Sequence, residues 1–333
     1  MTEPAPTRRA VMAGAALLAA APARAAGDTL LVLEKGEGAL AFYDLATGVR
    51  TARVALPGRY PHEFALDPAG RFAYVAHYGL KSSTDPGPGG NAVFVVDLAA
   101  KVVLRSIDCE PYDRLHGIRA DAQGRLHVLS EAQDMLLTVE EPAEAAAPGR
   151  ALRTGVLKSH LFALTRDGTR AYVSGILSNT LALVRPFEPA AAPVLSGVGA
   201  WPEGSALSPD ERTLVVAHRR GRTLVAADAE DMTVRASVAS RGDVVRLAAL
   251  PEGRIVTANL FERSLSLLRP DLTELGTVPL DGAPQAVSLH PRQAVAYAAL
   301  DSNRIAVVDL DRLTLEGHIE TGDGPDVTAI LAG

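Results

Sequence analysis

One phrase governs this chain. Pro61-His62-Glu63-Phe64-Ala65-Leu66-Asp67-Pro68-Ala69-Gly70-Arg71-Phe72-Ala73-Tyr74-Val75-Ala76-His77 reads as a loop leading into a strand, a tight turn at Asp67 to Gly70, and a second strand. The phrase then returns. Its turn recurs at Gly124, Gly168, Glu211, Gly253 and Gln293, each time with an inner strand before it and a second strand after it. The residue that opens each inner strand stands at 62, 116, 160, 203, 245 and 285, with a last copy at 326, giving steps of 54, 44, 43, 42, 40 and 41 residues. Two more strands follow in each copy. A four-stranded unit of about 40 to 45 residues is the length of a propeller blade. The longer first step reflects an insertion, Lys81 to Gly90, between the second and third strands of its blade.

The two ends complement each other. Asp28 to Gly58 supplies three strands and no inner one, whereas Asp326 to Leu331 supplies an inner strand and nothing else. Joined, they make a seventh blade, so the ring closes without a covalent link and without an open sheet edge. The expected fold is therefore all-β: a seven-bladed β-propeller of four-stranded antiparallel blades, one domain over residues 28–333, with the C-terminal strand completing the N-terminal blade. No long stretch shows 3.6-residue periodicity. Ala143 to Ala147 is alanine-rich but enclosed by Pro142 and Pro148, which makes it a loop.

Ala73-Tyr74-Val75-Ala76, Ala171-Tyr172-Val173-Ser174, Leu207-Ser208-Pro209-Asp210 and the Val-Asp-Leu strand ends at Val96 and Val308 resemble the YVTN family of β-propellers, exported proteins of the surface-layer and YncE-like type. The resemblance covers nearly all of residues 28–333. It implies the architecture and an exported setting; the family hosts several functions, so it implies no single activity.

The first 26 residues are a different material. Thr7-Arg8-Arg9 precedes an apolar run from Ala10 to Ala21 that ends at Pro22-Ala23-Arg24-Ala25. A charged start, a short apolar stretch and an A-x-A site make an export signal, residues 1–26, and its paired arginines resemble the twin-arginine type. The run is too short to span a bilayer, which takes about 20 residues, and no later stretch is apolar enough. The mature chain is expected in the periplasm or secreted, with no transmembrane segment. Cys109 is the single cysteine, so no internal disulfide staples the fold; a buried strand residue is the expected role. A net charge of −6, with arginine spread along the chain, gives no footprint for nucleic acid.

In a propeller the loop into the inner strand and the loop out of the second strand emerge on one face, around the central channel. Each blade thus offers two positions to one funnel. The first position reads Asp326, His62, His116, His160, Glu203, Val245 and Gln285 around the ring. The second reads Glu34, His77, Glu131, Gly175, His218, Asn259 and Leu300. Of the 8 histidines, five fall in these positions, where uniform scatter would put far fewer; His127, His290 and His318 map elsewhere. His62, His116 and His160 hold one position in three consecutive blades, so rotational symmetry points three imidazoles at a common volume. Neutral imidazole with carboxylate suits zinc, copper, iron or nickel, and three nitrogens with an open position is how catalytic zinc is held. The expected metal ligands are His62, His116, His160 and Glu131. His77, Glu203, His218, Glu34, Asp326 and Arg246 are expected to contact a ligand. Histidine and carboxylate without a metal also suit a small polar ligand. Lys81 to Gly90 emerges on the same face as a loop, and Arg219-Arg220-Gly221-Arg222 reads as a solvated hairpin.

The chain has no G-x-S-x-G elbow, Walker loop, H-E-x-x-H or C-x-x-C-H sequence, which excludes covalent c-type haem. The functional expectation is a periplasmic propeller that binds a transition metal or a small polar ligand in a histidine-rich funnel. Hydrolysis of an ester or lactone by metal-activated water is the reaction to test first. The rivals are a non-catalytic scaffold for a protein partner and a carrier or assembly factor for a cofactor.

Overall fold

A computed structural model describes Met1 and residues 27–197 and 199–333. The export signal expected over residues 1–26 lies, beyond Met1, outside the described residues. Those residues form seven four-stranded antiparallel sheets and no helix. The sheets are the blades of a closed ring, a seven-bladed β-propeller, and no helix among the described residues is long and apolar enough to cross a membrane. Blade 1 is completed by the last strand, Pro325–Leu331, which pairs antiparallel with Thr29–Glu34. The inner strands of blades 2 to 7 are Pro61–Leu66, Leu115–Ala120, Ser159–Leu164, Pro202–Leu207, Val244–Ala249 and Pro284–Leu289.

The burial pattern follows from blade stacking. A second strand is covered on both faces by neighbouring blades, so Phe72–His77 is buried along nearly its whole length. An outer strand is covered on one face only, and Val234–Ala239 alternates with solvent instead. The core is accordingly divided among the spaces between blades. Leu31, Leu33 and Phe42 of blade 1 pack on Phe64, Val75 and Phe94 of blade 2. Tyr43 and Leu30 pack on Tyr297 and Ile305 across the seam between blades 1 and 7. Cys109, just past an outer strand, is buried in the space between blades 2 and 3. The seam interface is held by packing of the same kind as the other six.

A second clasp closes the seam at the far end of the last strand. Asp28 accepts hydrogen bonds from Gly333 N at 2.9 Å, His290 Nε2 at 3.0 Å and Arg292 Nη2 at 2.6 Å.

Each inner strand carries a register shift against its neighbour close to its first residues: Pro61/Glu63, Leu115/Ile118, Ser159/Phe162, Pro202/Ser205, Val244/Arg246, Pro284/Ala286, and Val32/Glu34 opposite the last strand. A bulge inserts a residue without a partner and re-aims side chains. Seven bulges at one end of seven strands turn that end of the channel into a place where successive residues of one strand face the axis.

Candidate metal centre

All seven residues of the first position reach one cavity of about 780 Å³ at this end of the channel: Asp326, His62, His116, His160, Glu203, Val245 and Gln285. Lys35, Tyr78, Arg219 and Arg246 join them, and Lys81 to Ser83 of the inserted loop border the mouth. Arg114 ties that loop down, donating to the carbonyls of Asp85 at 3.1 Å and Gly87 at 2.9 Å.

The three imidazoles stand in a row with His116 in the middle, and His62 lies outside the tight group formed by His116, Glu131 and His160. The His116 ring centre is 4.2 Å from that of His62 and 3.8 Å from that of His160. Gly117 permits the second approach. A Cβ there would meet the His160 carbonyl at 3.0 Å, so a larger residue would push the inner strands of blades 3 and 4 apart.

The outer two rings are each held by a carboxylate. His160 Nδ1 donates to Glu131 Oε2 at 2.7 Å, while Tyr78 donates its hydroxyl to Glu131 Oε1 at 2.7 Å. A carboxylate only accepts, so Nδ1 of His160 carries a proton. His62 Nδ1 lies 2.5 Å from Asp326 Oδ2, an ion-pair approach that is short but not aligned as a hydrogen bond. Lys35 Nζ stands 3.8 Å from the same oxygen. The central ring differs. His116 is 1% exposed, and neither of its nitrogens has a hydrogen-bond partner among the described residues. An unsatisfied buried polar group costs about 1–3 kcal/mol, and such a group in a folded protein calls for an explanation. Ligand atoms of His116, Glu131 and His160 all fall within 4.8 Å of one another, close enough to surround one ion.

Charges around the site are balanced pairwise. Burial pushes the Asp326 pKa up, but His62, Lys35 and Arg246 outweigh it and hold the carboxyl at about 2. Burial also pushes Glu131 up, and the His160 and Tyr78 hydrogen bonds with nearby Lys158 bring it below the ordinary carboxylate range. His116 is driven well below its usual value, first by burial and then by His160, His62, Arg246 and Lys35, so its ring is neutral. Arg246 spans the channel: its Nη2 donates to Glu63 Oε1 of blade 2 at 2.9 Å, and its Nη1 lies 3.9 Å from Glu203 of blade 5. Arg219 donates to Glu203 at 2.9 Å and forks onto Asp243 at 2.6 and 2.7 Å.

The second position fares differently. Glu131 stands behind His160 and not on the cavity wall. Glu34 is turned aside into the seam, accepting from Tyr43 OH at 2.7 Å and Gly322 N at 2.8 Å. His77 Nε2 contacts the Arg59 carbonyl at 2.9 Å and its ring packs on Phe94. His218 is buried under Gly199, with its pKa lowered to about 4 by burial, against a weaker opposing contact with the Thr223 backbone. These three, expected at a ligand, do not line the cavity: His77 and His218 pack against the loops and strands of their own blades and Glu34 against the chain leading into the last strand, whereas Leu300 of the same position does reach the wall. Glu63 and Arg219 are not among the site residues expected from the sequence. Glu63 follows His62, is buried, and pairs with the cavity residue Arg246 without lining the cavity itself. Arg219, expected in a solvated hairpin, lines the cavity wall.

No protein-family model and no curated protein matches the chain. Among solved structures it is similar to hydrazine synthase from Kuenenia stuttgartiensis, with a TM-score of 0.67 and 17% identity over 84% of this chain and 92% of that one. This likeness is one of fold alone.

Proposed function

We propose that the protein is an exported, periplasmic propeller of the YVTN type that holds a transition-metal ion, zinc, copper or iron, through His62, His116 and His160. The observation that carries the reading is His116: a buried neutral imidazole with both nitrogens unpartnered, between two rings braced by carboxylates. Metal-bound histidines ordinarily give their second N–H to a carboxylate or carbonyl. On this reading Glu131 braces His160, and its carboxylate also lies within 4.8 Å of ligand atoms of His116 and His160, so it stands with them as a candidate ligand.

Holding fits better than hydrolysis. A base for metal-activated water needs a free acceptor within reach of it. Glu131 is engaged by His160 and Tyr78, Asp326 faces His62 and Lys35, and Glu203 accepts from Arg219. The role that follows is a carrier that passes its ion to a protein partner at the mouth bordered by Lys81 to Ser83. Ester or lactone hydrolysis stays as the second reading on one observation, that Glu203 Oε1 faces the cavity 3.8 Å from His160 Nε2.

Elemental analysis of protein isolated from the periplasmic fraction tests the reading. One equivalent of metal in the wild type, lost in His116→Ala, is expected. Equal metal content in both proteins sinks it, and turnover of a lactone panel by the loaded protein moves the assignment to the hydrolase.

A further inference from the structure

The two carboxylates that brace the histidines come from different kinds of place. Glu131 follows the second strand of blade 3, the same blade as His116 and next to His160. Asp326 arrives on the last strand, Pro325–Leu331, the one inner strand whose blade is assembled from both ends of the chain. It is 6% exposed, and its carboxylate faces His62 Nδ1 at 2.5 Å and Lys35 Nζ at 3.8 Å. Lys35 follows the strand that pairs with the last one, and its backbone N–H donates to Gly324 O at 2.9 Å. Further contacts pin the approach to Asp326: Gly322 N on Glu34 at 2.8 Å and Gly324 N on Asn303 at 2.9 Å. The group facing His62 is therefore delivered by ring closure itself.

We propose that Asp326 is a positioning residue for the histidine site, and that ion binding and docking of the last strand are one linked equilibrium. The linkage rests on the metal reading above. With Asp326 in place the His62 proton is kept on Nδ1, and Nε2 is the nitrogen left to coordinate. Alignment of Nδ1–H with Oδ2 needs only a turn about the soft terminal torsion of histidine. When the last strand undocks, His62 loses its carboxylate and the site loses its third well-oriented ligand. Because coupling is reciprocal, whatever factor docking adds to affinity, a bound ion returns to docking. A bound ion thus holds the ring shut at its seam.

The test uses the mature chain, Zn²⁺ as probe, and two seam variants that differ in one respect. Asp326→Asn removes the carboxylate facing His62; Asp28→Asn loosens the clasp at the far end of the same strand without touching a histidine of the site. Competition against a chromophoric chelator is expected to show Zn²⁺ affinity weakened roughly 10–100-fold in Asp326→Asn, the usual effect of losing such a partner, and changed less than twofold in Asp28→Asn. Amide hydrogen exchange over residues 325–331 of the wild type is expected to slow on Zn²⁺ addition by that same factor, and this arm requires no variant to fold. Nitrogen NMR of the protein without Zn²⁺ is expected to show His62 as the Nδ1–H tautomer. Equal weakening in both variants overturns the positioning role of Asp326, because strand docking alone would then account for the loss, and exchange in the last strand indifferent to Zn²⁺ overturns the linkage. An Nε2–H tautomer at His62 overturns the positioning role. A wild type that takes up no Zn²⁺ ends the metal reading and the linkage together, and the tautomer measurement then decides the role of Asp326 by itself.

Discussion

Two sets of histidines in this ring have similar burial and opposite accounts. His127 is fully buried and spends both nitrogens: Nε2 meets Asp121 at 3.2 Å and Nδ1 meets Thr138 Oγ1 at 3.1 Å. His290 does the same, with Nε2 on Asp28 at 3.0 Å and Nδ1 accepting from Arg292 N at 3.1 Å. In the channel set, His160 has a carboxylate on one nitrogen only, and His116 has a partner on neither. The difference separates histidine as a structural strut from histidine kept available for a ligand. Burial alone does not distinguish the two; the number of lone pairs and protons left over does.

The comparison can be broken in several ways. The largest effect is expected from truncation after Gly322, which deletes Asp326 and the strand that closes blade 1. No folded product is expected, and a soluble truncated protein with an unchanged melting temperature would show that neither set depends on the seam. Next, His116→Ala is expected to abolish metal retention with little loss of stability, whereas His127→Ala keeps the metal and loses about 3 kcal/mol, from two hydrogen bonds and a cavity. Metal analysis and denaturant melts on both variants check this, and a reversed pattern removes the distinction. His218 belongs to neither set and sharpens the rule. Its folded pKa of about 4 lies below the ordinary 6.5, so protons favour the unfolded chain. The stability it supports is complete above pH 6.5, falls as the pH drops toward 4 and levels off below, by on the order of 3 kcal/mol. Chemical denaturation across that range should show the slope in the wild type and a shallower one in His218→Leu. The smallest effect is expected from Asp28→Asn, about 2 kcal/mol through the His290 and Arg292 contacts, read as a lower melting temperature.

How much of this was legible follows from what repeats. The steps of the phrase around His62 give blade number and closure, because each copy must bury its faces against the next. The first position translated into the cavity wall residue by residue, since one place in seven symmetric strands is one place around an axis. The second position translated only at Leu300. Glu34, His77 and His218 turn aside against nearby loops and strands, and sequence spacing holds no information on which way a strand end faces once inner strands fill the axis. Glu63 and Arg219 were missed for a related reason. Bulges change the alternation of side chains locally, so Glu63, which a regular strand would turn away from His62, pairs with the cavity residue Arg246. The cross-channel pair of Glu63 with Arg246 joins residues 183 apart, and only the closed ring brings them together.

That pair has a bearing on traffic. Arg246 reaches from one wall to Glu63 on the opposite side, one residue deeper along each strand than Val245 and His62. The strut narrows the bore beneath the histidines, so a carrier of this design would load and unload by the mouth beside Ser82, with donor and recipient using it in turn.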